Sequence, residues 1–310
     1  MKFLTMPALH VGRGRHVRGL SVFPVWTDAP TVSGLGTGTA ARVRVDEREP
    51  SPVVGELVLT NQGVRPALLV AGELFEGGWQ HRALTNDVLL VPGQQLVASV
   101  SCVEHGRWDG ATAQVRPSRR TSVMVRCAQT IADEGERQSQ VWQRVSRYDT
   151  AFGASATASY VDHLNHQAGA QLSDDGQVQG SARGELVAGM GKIRPLLGQR
   201  GVLIGLGGQP AFVEVFASTS GLRRHLPGLL EAAAIDAALA PAQPTPGRRA
   251  RRFVGQLAMA PIGAERGADA GSGHAMASRS ACHEIRGLGW DDHLLHATVF
   301  NRRHPMMEVA

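Results

Sequence analysis

The sequence predicts an α+β fold: an antiparallel, β-rich, sandwich-like first part, then helices and two further β-hairpins. Three observations predict it. Short alternating apolar runs, separated by Gly, Pro and Asn, fill the first 121 residues. Apolar residues recur at helical spacing from about residue 122. Two later pairs of apolar runs each surround a glycine-rich break, at 205–208 and 287–289. Strands followed by helices, without regular strand–helix alternation, argue against a wound parallel sheet.

Taken in order, Leu20 to Trp26 reads as a strand interrupted by Pro24, and Glu56 to Thr60 as a second, closed by Asn61-Gln62-Gly63. Ala67 to Leu74 is a third. Asp87 to Val91 and Gln95 to Glu104 follow, with Pro92-Gly93 as the turn of a hairpin between them. Met124, Cys127, Ala128, Ile131, Gln138, Val141, Trp142 and Val145 carry the helical period, which Gly135 divides. Residues 153–190, rich in Ser, Ala, Gly and Asp, predict a loop or a loosely held helix. Val202 to Ile204 and Phe212 to Phe216 predict the first late hairpin. A helix follows from Gly221 to Leu239, with Ser218 or Ser220 as cap and Pro227 inside. The Pro- and Arg-rich stretch 241–252 predicts an exposed connector. Cys282 to Arg286 and His293 to Phe300 make the second hairpin around Gly287-Leu288-Gly289. The chain reads as one unit over 1–310, with a β-rich part, 1–121, and a mixed part, 122–310.

With 310 residues, 43% of them hydrophobic, the chain can bury a sizeable core. No run approaches the roughly 20 apolar residues of a membrane helix. The start, Met1 to Pro7, lacks the apolar stretch of a signal peptide. Cys102, Cys127 and Cys282 are odd in number and form no C-x-x-C, which speaks against a disulfide framework and a zinc ribbon. The expectation is a cytoplasmic protein with no membrane association. The net charge is +5, and Lys2 and Lys192 are the two lysines among 32 basic residues, so the basicity is an arginine bias. The basic runs Arg119-Arg120 and Arg248 to Arg252 lack interleaved aromatics for base stacking, so nucleic acid is not the expected partner. His163 and His166 stand three apart without a third ligand nearby, and no metal is expected. Gly205-Leu206-Gly207-Gly208 precedes a strand, whereas a dinucleotide loop precedes a helix. It reads as a hairpin turn, and the sequence assigns no cofactor.

The segment with most chemistry is Ser101-Cys102-Val103-Glu104-His105-Gly106-Arg107-Trp108. Alternation places Leu96, Ala98, Val100, Cys102 and Glu104 on one strand face. Cys102 continues an apolar row and reads either as a buried thiol or as a nucleophile activated by His105 or Arg107. Glu104 interrupts that row. With Arg107 and Trp108 it reads either as an acid–base and anion-holding group or as a structural ion pair beside a packed indole. A second polar cluster is Glu73, Glu76, Gly77, Gly78, Trp79, Gln80, His81 and Arg82, a binding loop or a solvated connection. If the two clusters meet, Glu73, Arg82, Glu104 and Arg107 line one cleft. Arg82 and Arg107 would then hold phosphate and Trp108 would stack on a ring. The expected catalytic residues are Glu104 and Cys102; the expected ligand-binding residues are Glu73, Gln80, Arg82, Arg107 and Trp108.

These stretches resemble a known family. Asn61 to Glu73 is similar to its N-x-S-D-x-P-V-x-L-x-x-G-E, and Gly77 to Arg82 to its G-G-x-Q-N-R, with His81 in place of Asn. Ser101 to Trp108 resembles its S-C-V-E-x-G-R-W, the most specific part. The family is the ARG and rhodanese-phosphatase-superfamily-associated protein domain, where ARG abbreviates ADP-ribosylglycohydrolase, and the resemblance covers nearly the whole chain. It implies a role linked to ADP-ribose or nucleotides. The expected function is binding or processing of a phosphorylated nucleotide-type ligand related to ADP-ribose or NAD. The alternative is a non-catalytic interaction or structural module.

Overall fold

The computed structural model describes residues 2–165, 182–258, 260–265 and 268–307. Its strands form three sheets of ten, six and three strands. The ten-stranded sheet runs Lys2–Thr5, Pro261–Glu265, His274–Arg279, His283–Trp290, His293–Asn301, Gln209–Phe216, Gly201–Leu206, Leu20–Thr27 and Leu9–Val11, with Arg15–Val17 also on Leu20–Thr27. Its pairings are antiparallel, as hairpin connections require. The six-stranded sheet runs Gln114–Val115, Leu74–Gly77, Arg82–Leu84, Gln95–Cys102, Glu56–Asn61 and Val43–Asp46. A bridge between Asp46 and Ala113 brings its two edges together, so it is close to a closed barrel. The third sheet is Val88–Leu90, Ala67–Leu69 and Gly36–Thr37, the last pair parallel. The first 121 residues thus give strands to all three sheets.

Six helices occur among the described residues: α1 (Val123–Ala128), α2 (Glu134–Phe152), α3 (Tyr160–Asn165), α4 (Ala182–Met190), α5 (Thr219–Leu239) and α6 (Gly247–Gly255). Their starts follow capping chemistry. Ser122 Oγ accepts from Val125 N at 3.3 Å, Asp133 Oδ1 from Glu136 N at 2.8 Å and Ser218 Oγ from Gly221 N at 3.1 Å. The apolar stripe of α5, Leu222, Leu226, Leu229 and Ala233, packs on Val202, Ile204, Phe212 and Phe216 of the large sheet. On the opposite side of that sheet, Ala250, Phe253 and Val254 of α6 meet Phe23, Leu203 and Val213. Val141, Val145 and Tyr148 of α2 pack with Met124, Val125, Tyr160 and Leu164 in a third cluster. A fourth, with Val45, Leu57, Phe75 and Val100, fills the near-barrel.

The α+β class, the strands-then-helices order and the two late hairpins are as the sequence predicts. Several local expectations are not. The stretch 67–74 is two strands in different sheets, because Gly72 takes φ +84° and turns the chain between them. Pro92-Gly93 does turn, but Val88–Leu90 pairs with Ala67–Leu69 and Gln95–Cys102 with Arg82–Leu84 and Glu56–Asn61, so no hairpin joins them. Gly135 sits in the first turn of α2, and the helix break falls before it, at the Asp133 cap. Gly287 to Gly289 lies inside strand His283–Trp290, where Gly287 lets the His293–Asn301 backbone approach closely. The connector at 241–252 ends in α6, whose Ala250 is buried. Of residues 153–190, α3 and α4 are helical, while 166–181, including His166, lie outside the described residues. His163 Nε2 lies 2.8 Å from Asp149 Oδ1. The hairpin predicted at 205–208 is present, with Gly205 and Leu206 still in the strand and Gly207 and Gly208, both at positive φ, making a two-residue turn.

One polar cluster pins three helices together. Tyr148 Oη lies 2.6 Å from both Asp236 Oδ1 and Ser122 Oγ, and Asp236 Oδ2 accepts from Val123 N at 2.8 Å. Tyr148→Phe keeps the ring and removes the hydroxyl, leaving Asp236 short of a donor. The expected loss, measured by urea denaturation, is about 1–3 kcal/mol.

Candidate functional site

The sequence-predicted residues fall into two networks. Strand Gln95–Cys102 ends where Glu104 meets the turn before Arg82–Leu84. The Glu104 carboxylate accepts from Arg107 Nε (3.0 Å), Arg107 Nη2 (2.7 Å), His81 N (2.9 Å) and Thr157 Oγ1 (2.9 Å). Arg107 spends its other donors on the carbonyls of Gly77, Gly78 and Asp109. Burial alone would raise the Glu104 pKa, but the Arg107 fork and the His81 amide outweigh it and hold it below the ordinary value. An ionised carboxylate with four donors in place has little capacity to exchange a proton.

Arg82 lies opposite Cys102 across the sheet, and its guanidinium sits 5.5 Å from the Trp108 ring. Arg82 is fully buried; its Nε donates to Val54 O at 2.9 Å, and neither Nη finds a hydrogen-bond partner among the described residues. Cys102 is also fully buried, donates to Glu104 O at 3.0 Å, and has its pKa raised by burial, which keeps it a thiol. Trp108 is 43% exposed and meets Trp79 edge to face. Gln80 is buried, and its backbone carbonyl accepts from Gln114 Nε2, which also donates to Glu47. The structure therefore gathers Arg82, Cys102, Glu104, Arg107 and Trp108, with Gln80 on the adjoining loop. Glu73 joins a different network: its carboxylate accepts from Val70 N at 2.9 Å and Arg116 Nη2 at 2.8 Å.

Near Glu73 lies a buried charge network that the sequence reading missed. Glu214, in the middle of Gln209–Phe216, is contacted by Arg120 Nη2 (2.9 Å), Arg126 Nη1 (2.8 Å) and His296 Nε2 (3.0 Å). His296 Nδ1 lies 2.6 Å from Asp87 Oδ2. Burial opposes the charge on Glu214, yet Arg120, Arg126 and His296 hold its pKa well below the usual range. Burial also disfavours the His296 cation, but Asp87 and Glu214 raise its pKa to about 9. With both ring nitrogens donating to carboxylates, the imidazole is an imidazolium at neutral pH. His225 beside it goes the other way, to about 4, chiefly by burial. A signal for this network was present: Glu214 and His296 stand alone in apolar strands, and Arg126 in an apolar helix.

The network borders a cavity of about 170 Å³ between α1 and the large sheet. Arg126, Gln129, Thr85 and Asp87 give it polar walls, with Ala277 and Phe300 apolar. Exposed Asn86, Asp269 and Ala275 form part of the rim, so solvent reaches it. Thr85 Oγ1, Gln129 Oε1 and Arg126 Nε are buried and find no hydrogen-bond partner among the described residues. Arg126 is held between the rings of Phe212 (4.6 Å) and Phe300 (5.9 Å). Gly72 makes room for it: a Cβ there would collide with the Arg126 side chain.

Glu104→Ala should cost about 3 kcal/mol in urea denaturation, because it strands a largely buried guanidinium. It should also change the near-UV circular dichroism of the Trp79–Trp108 pair. For His296, the folded pKa exceeds the unfolded one. Its stabilisation is fully present below about pH 6.5 and is lost as pH rises through about 9, on the order of 3 kcal/mol in all. The stability gap between wild type and His296→Gln should narrow across that window.

No curated protein and no solved structure gives a significant match to the chain. A family model, the ARG and Rhodanese-Phosphatase-superfamily-associated Protein domain, matches residues 8–300. The match spans the octet, the near-barrel and the buried network alike, and the chain belongs to that family.

Proposed function

We propose that this chain is a cytoplasmic protein that binds a phosphorylated nucleotide-type ligand, of the ADP-ribose or NAD class, with one ring in the cavity beside Arg126. The observation that carries this reading is the set of polar side chains lining the cavity, Thr85, Gln129 and Arg126, each with a buried polar atom that finds no partner among the described residues. Buried polar groups in native proteins are paired, so a wall that offers an acceptor, a donor and a hydroxyl is suited to a polar guest. The size supports a single ring, since a cavity of about 150 Å³ takes a benzene. A ribose, or a base or nicotinamide edge with a donor beside an acceptor, matches these side chains, and Phe300 and Ala277 supply the apolar contact. At the rim, Arg286 bonds Glu284 and Thr130 O through Nε and Nη2, which leaves Nη1 for a phosphate. The family name adds the ADP-ribose association. The three unpaired cysteines agree with a reducing compartment, and among the described residues no helix is long and apolar enough to cross a membrane.

The saturated Glu104–Arg107 corner favours a second reading, in which the octet is architecture and half-exposed Trp108 belongs to a contact surface. Calorimetric titration with ADP-ribose, NAD, ADP and ribose separates the two. Wild type should bind at least one of them, and Gln129→Leu and Thr85→Val should each weaken it about tenfold while folding normally. Absence of binding, or equal binding by both variants, removes the cavity from consideration.

A further inference from the structure

A second concave surface lies where the two edges of the near-barrel approach one another. Arg42 and Arg44 belong to one edge, around the start of Val43–Asp46, and Arg116 directly follows Gln114–Val115 of the other. With Thr39 and Gln62 they line an open hollow of about 360 Å³. Arg42 and Arg44 are two apart, so alternation sets them on one face.

The charges there are not balanced. Arg44 pairs with Asp46 at 2.8 Å and Arg116 with Glu73 at 2.8 Å. Arg42 is exposed and has no acidic partner among the described residues. Arg116 is fixed rather than free: its Nη1 donates to Ala41 O at 2.9 Å and its side chain is 10% exposed. Its Nε is buried and finds no hydrogen-bond partner among the described residues, although the side chain lines the hollow. One anchored guanidinium, two exposed ones and the Thr39 hydroxyl at the edge form a donor-rich surface. Planar guanidinium forks match phosphate oxygens in pairs.

We propose that this hollow binds the phosphate oxyanions of a diphosphate-bearing molecule, with exposed Arg42 and Arg44 as the donors from the edge and Arg116 as the fixed guanidinium beneath them. The site does not involve the cavity at Arg126 and stands whether or not that cavity takes a ligand. Two sources share the chemistry, free pyrophosphate and the diphosphate of a nucleotide.

The test is calorimetric titration of the full chain with sodium pyrophosphate and, separately, with ADP, at two salt concentrations. Arg42→Gln and Arg44→Gln are surface changes that leave the buried Arg116–Glu73 pair intact. Wild type should bind pyrophosphate more weakly at higher salt, and Arg42→Gln should weaken it at least fivefold. Gln129→Leu, in the separate cavity, should leave pyrophosphate binding unchanged. Equal affinity for pyrophosphate and ADP identifies the oxyanion alone as the ligand; tighter ADP binding that Arg42→Gln also weakens identifies a nucleotide diphosphate. No pyrophosphate binding, or the same affinity in wild type and both arginine variants, overturns the proposal. Loss of pyrophosphate binding in Gln129→Leu would move the anion to the cavity and overturn it as well.

Discussion

The architecture turns on the carboxylate of Glu214. It sits on a central strand of the large sheet with no solvent exposure and is held by two guanidiniums and an imidazolium. Each partner arrives from a different element: Arg120 precedes α1, Arg126 lies within it, and His296 is on the neighbouring strand. Through His296, Asp87 ties in the segment that opens the small three-stranded sheet. Desolvating such charges is expensive, and only their mutual pairing offsets it. Removing any member leaves the others buried without balance, so the packing of the sheets on α1 is conditional on the full set.

The same constraint explains why the octet and the cavity differ in character. Around Glu104 the carboxylate itself is fully engaged, closed by the Arg107 fork and the Thr157 hydroxyl, while both Nη groups of neighbouring Arg82 are buried without a partner among the described residues. Around Arg126 the ion pair with Glu214 is complete but Nε is not engaged, and the neighbouring Thr85 and Gln129 oxygens share that condition. The Glu104 carboxylate has its capacity used up in holding the fold. The Arg126 network retains unpaired polar atoms in side chains that line a solvent-reachable space. At Gly72 the backbone turn that separates two sheets is also what admits the Arg126 side chain.

Much of the fold is legible in sequence because it rests on local rules. Alternation marks Glu56–Asn61 and the first half of Gln95–Cys102, and the Ser218 cap and Leu222, Leu226, Leu229 spacing mark α5. The paired glycines at 207 and 208 give the turn. Glycine misleads where its purpose is long-range: Gly287 reads as a turn but serves a close approach of two strands. The octet is visible as a group because Glu104, Arg107 and Trp108 are near in sequence, and its closure is not, since Thr157 and His81 come from elsewhere.

The sequence by itself determined the α+β class, the Ser218 cap of α5, the late hairpins and family membership, because periodicity, capping and short motifs act over a few residues. Only the tertiary structure decided that Glu73 parts from Glu104 and that Arg126 meets Glu214, 88 positions away, and His296 meets Asp87, 209 away. The physical reason is that a buried charge is stable only beside its counter-charge. Which residues become counter-charges is set by how distant strands stack, and no local pattern records it.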